Sequence, residues 1–336
     1  MIQLTNPDYR QRWIDLNSHL ASLRQSEGLG RALRALMTNQ IESGFIKDEL
    51  SDIRRYRLTC IDQPDLALCA QFNPARAQRF KGSSSIDPRG HLINDGCFLC
   101  AENVQWQHGG AELGLEIHDL DLPYIAWMNP YPLLPCHTVI ASAEHLPQDW
   151  RHTDGRPLSG LIGDLISIAS ALPGWIGFYN GVGAGASIPH HLHYHFLPRP
   201  SGYEEMPIER AAAGRTSGST QDACYPIDFM HWHGSPESVL DHALAWLGRR
   251  YQDSRAANQE SANIIACADH SGSLNLYFVP RDQDRARVPG LNGIVGGFEV
   301  MGEIVCSTAE EQYRLDTGDL NYETVADMLA EVSVSV

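Results

Sequence analysis

Apolar positions along this chain follow two rhythms. From Gln11 to Ser43 they recur three or four residues apart (Trp13, Leu16, Leu20 and Leu23, then Leu29, Leu33 and Leu36). That spacing predicts helix, broken near Glu27-Gly28. Pro157–Leu172 repeats it with Leu158, Leu161, Ile162, Leu165 and Ile168, and Pro236–Tyr251 and Tyr322–Val332 predict two further helices. Short β-branched and aromatic runs predict strands at Arg55–Cys60, Leu66–Phe72, Tyr124–Met128, Thr138–Ala141, Ile176–Asn180, Asn263–Cys267, Leu274–Val279 and Phe298–Cys306. Turn residues punctuate them, as at Asp62-Gln-Pro64 and Asn129-Pro-Tyr-Pro132. Residues 74–96 predict a long loop. Residues 201–232, with Gly214-Arg-Thr-Ser-Gly-Ser-Thr220, predict a mobile linker or lid.

A strand, a turn and a second strand occur at Tyr124–Ala141 and again at Asn263–Val279. This recurrence predicts a duplicated α+β unit, an antiparallel sheet flanked by helices. The most informative alternation is His190-His-Leu-His-Tyr-His-Phe-Leu-Pro-Arg-Pro200. In a strand, His191, His193 and His195 share one face, while Leu192, Tyr194 and Phe196 share the other and pack into a core. Three adjacent imidazoles on one face point to a metal, a phosphate or shared protons. Just before them, Asn180-Gly-Val-Gly-Ala-Gly-Ala-Ser187 supplies glycines that let backbone amides approach an anion.

Composition narrows the function classes. The chain has 336 residues, 43% hydrophobic and 20% charged, within the globular range. Its formal charge of −16 opposes binding to nucleic acid or an anionic membrane, though not to a nucleotide in a local pocket. No apolar run approaches about 18 residues, and the reading is a soluble, cytoplasmic protein. Eight cysteines are scattered without a disulfide framework. Cys97 and Cys100 form a C-x-x-C, which is half a zinc site, a redox pair or two buried thiols.

His191-Leu-His-Tyr-His-Phe-Leu197 resembles the histidine-triad motif, H-φ-H-φ-H-φ-φ with φ apolar. Its surroundings resemble the superfamily's transferase branch, which includes galactose-1-phosphate uridylyltransferase, diadenosine tetraphosphate phosphorylase and the GDP-hexose phosphorylases. Asn129-Pro-Tyr-Pro-Leu-Leu-Pro-Cys-His137 is similar to the branch's turn before the nucleotide-facing strand. Cys97-Phe-Leu-Cys-Ala-Glu-Asn103 and Ala143-Glu-His-Leu-Pro147 are similar to the uridylyltransferase zinc segments. Gln71-Phe-Asn-Pro-Ala-Arg76, Gly297–Gly302 and Met328–Ser333 resemble phosphorylase segments.

The resemblance implies four regions: N-terminal and helical at 1–65, a catalytic half with the zinc site at 66–200, a linker or lid at 201–235, and a second half at 236–336. It implies a nucleotidyltransferase of phosphorylase type, acting on a nucleoside diphosphate sugar or a dinucleoside polyphosphate through a nucleotidyl–histidine intermediate. The nucleophile falls on His193, whose other ring nitrogen needs an acceptor such as a backbone carbonyl. His195 bonds a phosphoryl or leaving oxygen. Gly183, Gly185 and Ser187 cradle the α-phosphate, Arg76 and Arg199 neutralise phosphate charge, and Asn129 orients the nucleotide or starts a turn.

A structural zinc falls on Cys97, Cys100, His145 and His191, with His190 and His137 as alternatives to the two histidines. The partners implied are the nucleotide and an inorganic phosphate or sugar phosphate acceptor, and related transferases are often homodimers. Where the transferases carry Gln at the third triad position, this chain has His195. That is the hydrolase pattern and keeps a histidine-triad hydrolase as an alternative. A non-catalytic nucleotide- or zinc-binding protein is a third reading.

Overall fold

Gly28 adopts φ 88° and ψ 169°, a backbone region L-residues rarely enter, and it separates helix α1 (Pro7–Glu27) from helix α2 (Leu29–Glu42). The break therefore falls where the sequence predicted it. The protein is seen here as a computed structural model that describes residues 2–47, 50–63, 67–81, 93–149, 158–218, 225–251 and 260–336. Parts of the predicted loop (82–92) and of the predicted linker (219–224) lie outside the described residues.

Strands β1 (Arg54–Thr59) and β2 (Ala67–Phe72) come next, then β3 (Leu115–Ile117), β4 (Tyr124–Met128) and β5 (Thr138–Ser142). Helix α3 (Leu158–Ser170) leads to β6 (Trp175–Asn180) and the histidine strand β7 (His193–Pro198). The second half runs through β8 (Met230–Gly234), α4 (Pro236–Arg250), β9 (Glu260–Ala268) and β10 (Leu274–Asp282). It ends with β11 (Glu303–Cys306), α5 (Ala309–Thr317) and α6 (Tyr322–Glu331).

Eight strands form one antiparallel sheet in the order β3-β4-β5-β7-β6-β9-β10-β8. The strand pairs read as counterparts, β4–β5 and β9–β10, lie on opposite sides of the central β7–β6 contact. Helices α2, α3 and α4 bury their apolar stripes on one face, against Tyr124, Ile140, Tyr194, Phe196 and Ile264. Phe196 packs so closely over the neighbouring strand that a Cβ at Gly177 would lie 2.3 Å from its ring. The opposite face carries two separate cores. Tyr9 and Trp13 of α1 pack with Leu99, Ile125 and Trp127 at one end. At the other end, β1, β2, β11 and α6 pack over Phe178, Ile265 and Tyr277.

The architecture is α+β with an antiparallel main sheet, as expected, and beside it the small sheet β1-β2-β11 contains a parallel pair, β2 with β11. Two other expectations need correction. The predicted strand Phe298–Cys306 begins as a helical turn at Gly297–Val300, because Glu299 caps the amide of Gly296 before the chain extends at Glu303. Residues 201–235 are no bare linker: Pro207–Ala212 is helical and β8 forms an edge of the main sheet.

Candidate active site

The strand register sets the site. Trp127, Val139, His195 and Phe178 align across β4, β5, β7 and β6, with Ile125, Ala141 and His193 in the next row of the same face. A cavity of about 500 Å³ opens over these rows. Leu192, Tyr194 and Phe196 enter the opposite core, as the alternation predicted. His191 departs from the expected arrangement: β7 begins at His193, and His191 turns toward the cysteines instead of continuing the row.

His193 is 1% exposed. Its Nδ1 lies 2.7 Å from the carbonyl oxygen of His191, and a carbonyl only accepts, so Nδ1 carries the hydrogen. The lone pair of the neutral ring is then on Nε2. This is the backbone-carbonyl acceptor that the nucleophile reading required.

His195 receives the opposite assignment through two bonds. The Leu133 amide donates to His137 Nδ1 at 3.1 Å, so the neutral His137 ring carries its hydrogen on Nε2. His137 Nε2 lies 3.0 Å from His195 Nδ1 and donates to it. The hydrogen of a neutral His195 is therefore on Nε2. Phe178 stacks on His195 with ring centroids 4.9 Å apart and holds its plane. The two adjacent imidazoles, with centroids 5.1 Å apart, thus present one lone pair and one N–H. Sequence reasoning offered His137 only as an alternative metal ligand, yet its position before β5 makes it the residue that orients His195.

Gln148, which sequence reasoning missed, clamps the histidine strand. Its Oε1 accepts the His193 amide at 2.7 Å, while Nε2 donates to the carbonyls of Asn180 and His193. Asn180 was also missed; its Oδ1 accepts from Asn263 and from the Gly297 amide, joining the glycine loop to the Gly296-Gly297 turn. No local pattern marks either residue, because both act across long sequence separations.

Of the expected phosphate contacts, Arg76, Asn129, Gly185 and Ser187 line the cavity. Arg76 donates to the Tyr131 carbonyl, and Asn129 Oδ1 accepts the Tyr131 amide, so Asn129 does start the turn. Gly185 is required by φ 97° and by the Gly296 backbone, which would lie 2.4 Å from a Cβ there. Gly183 is outside the cavity lining and packs on the Gln283 backbone, whose carbonyl oxygen would lie 2.1 Å from a Cβ there. Arg199 is likewise outside that lining. Its guanidinium makes a two-point contact with Glu209 at 2.6 and 2.8 Å and is committed to that carboxylate.

Beside the cavity, the ligand atoms of Cys97, Cys100, His145 and His191 lie within 4.8 Å of one another. Cys97 Sγ is 3.2 Å and Cys100 Sγ 3.6 Å from His191 Nδ1, and Cys100 Sγ is 3.3 Å from His145 Nδ1. A tetrahedral ion with ordinary Zn–S and Zn–N bonds sets its ligands about 3.3–3.8 Å apart, so the donor set fits a metal. His191 Nε2 donates to the Ser142 carbonyl, which directs the Nδ1 lone pair at the sulfurs. Hydrogen bonding from Cys100, aided by His191, lowers the Cys97 pKa to about 3, and the same contact raises that of Cys100. His190 is exposed and His137 is engaged with His195, so neither alternative joins the cluster.

Residues 36–198 match the family described as Domain of unknown function (DUF4922), a span that includes the cluster and the triad. No curated protein matches the chain in sequence. Among solved structures, yeast Ap4A phosphorylase Apa2 superposes with a TM-score of 0.61 at 16% identity, over 90% of this chain and 96% of that one. Its complex with AMP gives 0.58 at 15% identity, over the same shares. Its complex with Ap4A gives 0.57 at 16%, over 90% and 97%. The chain therefore has the fold of that phosphorylase, as the resemblance to the histidine-triad transferase branch implied.

Proposed function

We propose that this fold serves a nucleotidyltransferase of phosphorylase type, acting on a nucleoside diphosphate sugar or a dinucleoside polyphosphate such as Ap4A. The observation that carries the reading is the opposed pair of tautomers at His193 and His195. His193 Nε2 attacks the α-phosphorus in line; the P–N bond forms as the bond to the leaving phosphate oxygen breaks. The Nε2 hydrogen of His195 bonds the oxygen that gains charge. An oxygen of inorganic phosphate or a sugar phosphate then attacks the nucleotidyl–histidine, releasing the nucleotide and restoring the ring. The likeness in fold to Ap4A phosphorylase supports this reading.

Cys97, Cys100, His145 and His191 would hold a structural zinc, which would neutralise two thiolates and fix the 97–100 segment against the histidine strand. Hydrolysis of the same bonds is the second reading, favoured by histidine in place of glutamine at 195. The test is incubation with GDP-glucose, UDP-glucose or Ap4A, with and without phosphate, followed by intact-protein mass spectrometry. Phosphate-dependent turnover and a nucleoside monophosphate adduct on His193 are expected. Equal turnover without phosphate overturns the phosphorylase reading.

A further inference from the structure

One end of the cavity is left unused by the transfer chemistry. It lies over β4 and β5, floored by Trp127 and Val139 and walled by Phe98, Leu99 and Ile188. Three polar side chains from one turn interrupt this apolar surface: Gln107 and Glu112, both buried, and His108, which is exposed. Glu112 is only 7% exposed, and its carboxyl has no hydrogen-bond partner among the described residues; Tyr9 bonds its backbone carbonyl instead. Gln107 is 1% exposed, and its Nε2 is buried without a partner among the described residues. Desolvated groups of this kind cost stability unless something satisfies them.

Neither buried side chain at this end is a cation that could attract phosphate oxygens, whereas Arg76 and Arg287 also line the cavity. A nucleotide held at its α-phosphate by His193 therefore sends its phosphates toward the arginines and its base between the apolar walls. We infer that Glu112 and Gln107 read the base and select guanine. The inference rests on the nucleotidyl reading of the same site. Guanine offers N1–H and N2–H beside the O6 acceptor, which matches two carboxylate oxygens beside an amide donor. Burial favours the protonated acid, so the carboxylate is the form present above about pH 8, and there adenine sets its N1 lone pair against it. Uracil places a single N–H between two carbonyls.

The test is calorimetric titration at pH 9, where the Glu112 carboxyl is ionised, of GMP, IMP, AMP and UMP into the wild-type chain and into Glu112→Gln, a change that preserves shape. GMP is expected to bind at least about tenfold tighter than AMP, and tighter than IMP, which lacks the 2-amino group. Glu112→Gln is expected to abolish that margin by weakening GMP alone. Tighter binding of AMP or UMP to the wild type, or equal weakening of all four nucleotides in the variant, overturns the assignment. The wild-type ranking decides even if the variant folds poorly. A His193 adduct formed from adenine nucleotides in preference to guanine ones refutes the base assignment and leaves transfer standing. Selective GMP binding with no adduct refutes transfer and leaves the base assignment standing.

Discussion

The carbonyl of His191 holds the Nδ1 hydrogen of His193 at 2.7 Å, while the ring of His191 faces Cys97 and Cys100. One residue therefore joins the metal-ligand cluster to the proposed nucleophile. Its side chain answers to the cysteines and its backbone to the neighbouring imidazole.

Loss of metal is expected to disturb catalysis through this shared residue. The purified chain should carry one equivalent of zinc by elemental analysis. Cys97→Ser or exhaustive chelation should lower the unfolding temperature and slow adduct formation together. A metal-free chain with unchanged unfolding temperature and unchanged adduct rate would contradict the linkage.

His193→Ala should lower turnover by at least about 10³-fold and eliminate the mass adduct. Nucleotide affinity should change little, because the base and phosphate contacts remain. Residual adduct on another residue, located by peptide mapping, would move the nucleophile elsewhere.

Gln148→Leu keeps the volume but strips partners from the His193 amide and two carbonyls. The expected cost is about 2–4 kcal/mol in denaturant unfolding. Adduct formation should slow more than nucleotide affinity falls, since the clamp sets the height of the nucleophile strand. A variant of wild-type stability would show that the clamp is dispensable.

Burial pushes the Glu112 carboxyl up from its ordinary 4.5 to about 8. A raised folded-state value favours the neutral acid, so its contribution is greatest below 4.5 and is lost as pH rises through 8. The loss across that window is about 3–5 kcal/mol. The isosteric Glu112→Gln should therefore unfold at progressively higher temperature than the wild type between pH 5 and pH 8. A difference independent of pH would place the charge in water.

The histidine strand, its core-facing partners and the Cys97–Cys100 pair were legible because each is local, an alternation of two and a C-x-x-C, whereas His145 and His191 joined the pair only through the resemblance. Gln148, Asn180 and Glu112 were illegible, since each owes its importance to elements far away in sequence. Gln148, for example, meets the histidine strand across 45 residues. Arg199 misled for a related reason. An arginine after a catalytic strand suits phosphate, but only the fold reveals that Glu209 holds it first. The swap between His137 and His145 could not be resolved from sequence, because both histidines flank the same strand.

The parallel pairing of β2 with β11 imposes an order on assembly. Residues 67–72 lack their outer neighbour until residues 303–306 exist, and the Gly296–Glu299 rim of the cavity arrives with that same late segment. During synthesis the histidines and cysteines emerge long before this rim, so a nascent chain bears the histidine strand on an unfinished surface. Closure through such distant contacts is slow relative to local folding. The cavity is thus completed only after the histidine strand has long been made, and a truncation before Gly296 removes its rim.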